Sequence, residues 1–133
     1  MFGNKKPQNR IDSLIGAGTL IEGNVAFSGG LRVDGTVKGN VIASGDQPGT
    51  LVVAEGARIE GEVRVSQVVI NGVVVGPVQS DHHVELQPKA NVTGDVHYRS
   101  LEMQIGAILQ GRLVYEPSGK AENVVPLKPA VAD

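Results

Sequence analysis

The sequence has no cysteine and no tryptophan. Without a thiol there is no disulfide, no thiolate zinc site and no cysteine nucleophile, and the chain suits a reducing compartment. Aromatic residues are nearly as scarce. Phe2, Phe27, Tyr98 and Tyr115 are the four in 133 residues, too few for a conventional globular core. Charge of one sign is missing too, with 12 Lys+Arg against 14 Asp+Glu, so no net field draws the chain to nucleic acid. No apolar run approaches the roughly 18 residues of a membrane span, and the start lacks the apolar segment of a secretory signal. These absences make the cytoplasm the expected compartment.

What is present is a repeat. An aliphatic residue, a polar one, a glycine, a polar one and an aliphatic recur as Ile21-Glu22-Gly23-Asn24-Val25, Val37-Lys38-Gly39-Asn40-Val41, Ile59-Glu60-Gly61-Glu62-Val63, Val92-Thr93-Gly94-Asp95-Val96 and Leu109-Gln110-Gly111-Arg112-Leu113, with Val74-Val75-Gly76-Pro77-Val78 as a variant. Between the copies the chain can be cut at Leu14, Leu31, Leu51, Val68, Val84 and Leu101, at spacings of 17, 20, 17, 16 and 17 residues. Each unit opens with period-2 alternation, such as Leu31-x-Val33 or Val68-x-Ile70, and continues through turn chemistry such as Asp34-Gly35 and Asn71-Gly72. Turns this frequent leave no room for helices.

A unit of about 17 residues cannot bury its own aliphatic face and must stack on its neighbours. The expected fold is all-β: a single-stranded parallel β-solenoid of about six rungs, on the order of 29 Å long at roughly 4.8 Å per rung. Val41, Val63, Val78, Val96 and Leu113 should form one inward ladder, and Val33, Val53, Ile70, Leu86 and Met103 another. Glu60, Glu62, Thr93 and Asp95 should face water. Glycine should mark bends where a Cβ would crowd the adjacent rung. Pro77, lacking an N–H, requires a corner or a bulge. The 20-residue unit should carry a surface loop around Ser44 to Gly49.

A parallel stack leaves unpaired backbone groups and ladder ends on its first and last rungs. Neither flank reads as a helical cap, and the last rung is apolar at Leu101, Met103, Ile105, Ile108, Leu109 and Leu113. By alignment with Arg58 and Asn91, Ile108 falls on an outward position. The candidate assembly interface is therefore Leu14, Leu20 and Ile21 at one end and those six residues at the other, with a second copy of the chain as partner.

Three regions are expected: a flexible tail over residues 1–13, the β-solenoid over 14–117, and a disordered, proline-containing tail over 118–133. The first tail reads either as a plain terminus or as a membrane-surface anchor. In the second reading Met1 and Phe2 enter the headgroup boundary while Lys5 and Lys6 face anionic lipid. One Phe is worth roughly 2 kcal/mol and each nearby cation about 1 kcal/mol, so one tail holds weakly and many on a polymer hold well. The second tail reads as solvated chain or as a short extended ligand at Val124 to Pro129.

The runs Thr19 to Val25, Leu31 to Val41, Val92 to Val96 and Gly106 to Gly111, together with the Met1-Phe2 start and Lys5-Lys6, resemble the bactofilin family. The resemblance covers the whole repeat region. It implies a right-handed β-helix that polymerises without nucleotide into bacterial cytoskeletal filaments at the inner face of the cytoplasmic membrane. It also implies scaffolding of cell-wall synthesis or hydrolysis enzymes and of shape or polarity factors. Where the family often carries Phe in the last rung, this chain has Leu109, which keeps an apolar contact.

The alternative is a left-handed hexapeptide-repeat enzyme, an acyltransferase or a zinc carbonic anhydrase-like protein. That class needs stricter six-residue spacing and a convergent histidine site, for which His82, His83 and His97 are the only candidates, and His82 and His97 do not stack in register. They read as surface residues near corners, so no catalytic, cofactor-binding or metal-ligating residue is assigned and no cofactor is expected. There is no phosphate-binding loop ending in Lys-Ser or Lys-Thr and no calcium-binding nonapeptide.

Overall fold

Short stretches of alternating residues, each ended by a glycine or another turn residue, form strands that pair only with the equivalent stretch one repeat away. The computed structural model describes residues 11–45 and 48–117, and among these there are sixteen strands and no helix. The first rung consists of β1 (Ser13–Ile15), β2 (Leu20–Glu22) and β3 (Val25–Phe27). The second is β4 (Gly30–Val33), β5 (Thr36–Lys38) and β6 (Val41–Ala43); β7 (Thr50–Val53) and β8 (Arg58–Glu60) begin the third. The long strand β9 (Val63–Ile70) ends the third rung and starts the fourth. After β10 (Val73–Val75), β11 (Val78–Leu86) in the same way ends the fourth and starts the fifth. β12 (Asn91–Thr93) and β13 (Val96–Tyr98) complete the fifth rung, and β14 (Ser100–Met103), β15 (Ile108–Gln110) and β16 (Leu113–Tyr115) make the sixth.

Every pairing is parallel, and the strands line up in three columns of six, one column per side of the solenoid. The register confirms both expected ladders. Val41, Val63, Val78, Val96 and Leu113 are in line, extended at the start by Val25. Val33, Val53, Ile70, Leu86 and Met103 are in line behind Ile15. A third ladder runs Ile21, Val37, Ile59, Val74, Val92 and Leu109. The central members of all three ladders are completely buried, so small aliphatics of nearly equal volume fill the narrow interior without aromatic bulk.

The glycine column shows how closely the corners stack. A Cβ built on Gly39, Gly61, Gly76, Gly94 or Gly111 would come closer than 3.0 Å to the carbonyl of the glycine one rung earlier, so no larger residue fits. The next residue along contributes a side-chain oxygen. Asn24 Oδ1 accepts from Asn40 N at 2.9 Å, Asn40 Oδ1 from Glu62 N at 2.9 Å, and Asp95 Oδ1 from Arg112 N at 3.1 Å. Pro77 occupies this position in the fourth rung, at the corner between β10 and β11, where the missing N–H disturbs no strand pairing. A separate bulge interrupts β11 between Ser80 and His83.

One expectation is corrected. Leu14 does not open the first rung in register with Leu31: Ser13 pairs with Leu31, Leu14 with Arg32, and Ile15 with Val33. A one-residue slip turns every side chain of a strand to the opposite face, so Leu14 points outward and is 61% exposed while Ile15 is buried. Asp46 and Gln47, the tip of the expected surface loop, lie outside the described residues, as do residues 1–10 of the tail expected over 1–13 and the whole tail expected over 118–133, while Ser13 already belongs to β1. Among the described residues no helix is long and apolar enough to cross a membrane.

Candidate assembly interface

The inward ladders, with Leu31, Leu51, Val68, Val84 and Leu101 as a fourth, end abruptly. Leu86 and Val96 in the fifth rung are completely buried, yet their sixth-rung neighbours Met103 and Leu113 are each 43% exposed. Leu109, which continues the ladder of buried Ile59, Val74 and Val92, is half-buried, as is Leu101 on the first side. Chemically these are core residues that no further rung among the described residues covers. Ile105 stands at the rim in the turn between β14 and β15 and is almost wholly exposed. Tyr115 adds an exposed ring beside Tyr98, with ring centroids 5.8 Å apart.

The first rung is covered differently. Ile15 and Phe27 are buried although among the described residues no earlier rung lies against them, whereas Ile21 and Val25 are half-buried. Gly23, the first glycine of the corner column, has nothing within 4 Å of where a Cβ would stand. Its backbone surface is therefore open, while every later glycine of the column backs onto a carbonyl.

Leu20 and Ile108 share one outward column, in which Thr36, Arg58, Val73 and Asn91 lie between them. The structure bears out the outward direction read for Ile108 and adds Leu20 as its counterpart at the other end; they are 52% and 47% exposed. The nine candidate residues thus form two groups at the ends of the stack. Ile21, Leu101, Met103, Leu109 and Leu113 are open ladder ends, Leu20, Ile105 and Ile108 stand on the rims, and Leu14 projects from the side of the first rung. Tyr115 and Gly23 are additions that the repeat pattern did not single out. Met1, Phe2, Lys5 and Lys6 lie outside the described residues.

Around the sides, carboxylates meet arginines. Arg32 pairs with Asp34 at 3.0 Å, Arg64 with Glu62 at 2.8 Å, Arg112 with Asp95 at 2.8 Å, and Arg58 with Glu60. The Arg112 side chain, and then its backbone N–H, hold the Asp95 carboxyl below its ordinary range. Arg58 does the same to Glu60, first through its hydrogen bond. The three histidines do not converge. His97 Nδ1 lies 2.8 Å from Glu116 and His83 Nδ1 lies 2.8 Å from Ser100 Oγ, while His82 is exposed beside the bulge. A cleft of about 340 Å³ between Arg64, Ser80, Asp81, His97 and Glu116 mixes both charge signs and has no convergent donor set. Among the described residues the one group of three side chains placed to hold a metal is His83, Glu85 and Glu102. The 17-residue repeat that sets Leu86 against Met103 also sets Glu85 against Glu102, and that register was the signal that could have found the group.

A family model described as "Bactofilin: Polymer-forming cytoskeletal" matches residues 13–114. The chain is similar to Bactofilin BacP of Myxococcus xanthus, 28% identical over 102 residues, and to Bactofilin BacO of the same organism, 26% identical over 102 residues. Each match takes in 77% of this chain, but 41% of the first relative and 78% of the second, so the chain spans less than half of BacP. No solved structure matches it.

Proposed function

The chain belongs to the bactofilin family of polymer-forming cytoskeletal proteins, and from that premise we propose that it assembles end to end, without nucleotide, through the open faces of its first and last rungs. The observation that carries this reading is the step in burial along single ladders, from completely covered Leu86 and Val96 to Met103 and Leu113 at 43% exposure. A second copy supplies the missing rung, covers those residues and pairs the free strand edges. Leu20, Ile21, Leu101, Ile105, Ile108 and Leu109 complete the contact surfaces, and Leu14 flanks them at the side of the first rung. The solenoid over 14–117 is the polymerising unit, and it works as a scaffold without catalysis.

The proposal extends to location and partners. Met1, Phe2, Lys5 and Lys6 bind an anionic membrane surface, weakly one by one and firmly when a filament presents many. This puts the filament in the cytoplasm at the inner face of the membrane, where it organises cell-wall synthesis or hydrolysis enzymes.

Electron microscopy of the purified chain without ATP or GTP tests assembly, with filaments as the expected result. Monomers alone across salt and protein concentration would end the proposal. Liposome co-sedimentation tests the tail. Deleting residues 1–6 is expected to abolish sedimentation with anionic vesicles and to leave filaments intact, and equal sedimentation with and without the tail refutes the anchor.

A further inference from the structure

Glu85 on β11 and Glu102 on β14 stand directly opposite each other in register, at an inter-strand spacing of about 4.8 Å. Like charges placed directly across a sheet destabilise it. The ion pairs of the described residues join Asp34, Glu60, Glu62 and Asp95 to arginines and Glu116 to His97, and none reaches Glu85 or Glu102. What faces the two carboxylates instead is an imidazole. His83 lies two residues before Glu85 on the same side of β11, and one donor atom from each of His83, Glu85 and Glu102 falls within 4.8 Å of the others.

Neighbouring side chains orient two of the three. Glu85 Oε2 accepts from Gln104 Nε2 at 2.9 Å and from Gln87 Nε2 at 3.2 Å, which leaves Oε1 available. His83 Nδ1 lies 2.8 Å from Ser100 Oγ. In the tautomer that donates Nδ1–H to this hydroxyl, Nε2 carries the lone pair that a metal needs. Outer hydrogen bonds of this kind fix ligand orientation in metal sites.

The geometry points to a divalent-cation site of the zinc class at His83, Glu85 and Glu102, bridging the fifth and sixth rungs. One imidazole nitrogen and two carboxylate oxygens suit zinc better than calcium or magnesium, which take oxygen ligands. The ion neutralises the opposed carboxylates and ties β14 to β11. Three protein ligands leave a coordination position open to water or to a donor from another molecule.

Equilibrium dialysis of the full chain against Zn²⁺ tests the site. The wild type is expected to bind one zinc per chain, and excess Mg²⁺ not to displace it. Glu102→Gln, a near-isosteric change at an exposed position, and His83→Ala are each expected to weaken binding by at least about tenfold. Circular dichroism checks that both keep the wild-type fold. His97→Ala, which removes the other histidine–carboxylate pair, is expected to bind zinc as the wild type does. No zinc binding by the wild type, undiminished binding by folded Glu102→Gln, or loss of binding in His97→Ala would each overturn the assignment.

Discussion

Ile59 and Leu109 occupy the same ladder, yet substituting them should have opposite consequences. Ile59 has Val37 on one side and Val74 on the other and is completely buried. Ile59→Ala removes about three methylene equivalents, worth roughly 0.8 kcal/mol each. Its neighbours are pinned by parallel pairing and cannot collapse into the space, so a cavity cost adds to the transfer loss. The expected destabilisation is about 3 kcal/mol, a fall of about 12 °C in Tm for a domain of this size. Leu109 has Val92 on one side and, among the described residues, no rung on the other. In a dispersed chain, Leu109→Arg gives up about half the burial of one leucine, roughly 1 kcal/mol, because the arginine stem can stay down while its head reaches water. In a filament the same guanidinium would be trapped unpaired at an apolar junction, at a cost of several kcal/mol. At 1.4 kcal/mol per tenfold, 4 kcal/mol would raise the concentration needed for assembly about a thousandfold. Sedimentation and electron microscopy read the second effect. Thermal unfolding of Ile59→Ala made in the Leu109→Arg background reads the first, free of any contribution from assembly. Filaments of Leu109→Arg at wild-type concentration, or a Leu109→Arg chain unfolded at room temperature, would refute the division between middle and end rungs.

Gly39→Ala should destabilise the fold by about 1–3 kcal/mol, read as a lowered denaturation midpoint, because its Cβ would press on the backbone carbonyl of Gly23. Asp95→Asn keeps the oxygen that accepts from Arg112 N but removes the charge that meets the Arg112 guanidinium. The Asp95 carboxyl is held below its ordinary value of 3.8, chiefly by the Arg112 side chain. Its contribution is therefore complete above that value and is lost as pH falls through the lowered folded value. The wild type should accordingly exceed Asp95→Asn in thermal stability at neutral pH, with the gap closing under strong acid; a gap that widens on acidification would contradict the pairing.

How much of this was legible in the chain follows from what repeats. Two inward ladders, the glycine corners and the outward direction of Ile108 could be read from residues alone. The ladders and glycines recur at the rung spacing, where Cβ crowding favours the bend, while the missing N–H of Pro77 left a corner or a bulge, of which the structure has the corner. The first rung was less legible. Ser13-Leu14-Ile15 is a three-residue strand whose alternation is satisfied in either register, and pairing with Leu31 and Val33 is what turned Leu14 to solvent. Nor did the pattern reveal that two corners are absent, where β9 and β11 each run on from one rung into the next. Contacts between rungs are decided by register rather than by nearness in sequence. Glu85 and Glu102 are 17 residues apart, one rung length, so the repeat alignment sets them side by side, and their pairing follows from β14 lying against β11. The two ends also read alike in sequence, but the same ladder leaves Ile15 8% exposed at one end and Met103 43% exposed at the other. Local pattern thus determined the rung, its inward faces and its bends. Only the stacked structure decided which residues lack a neighbour, because burial is a property of the assembled rungs and not of any one of them.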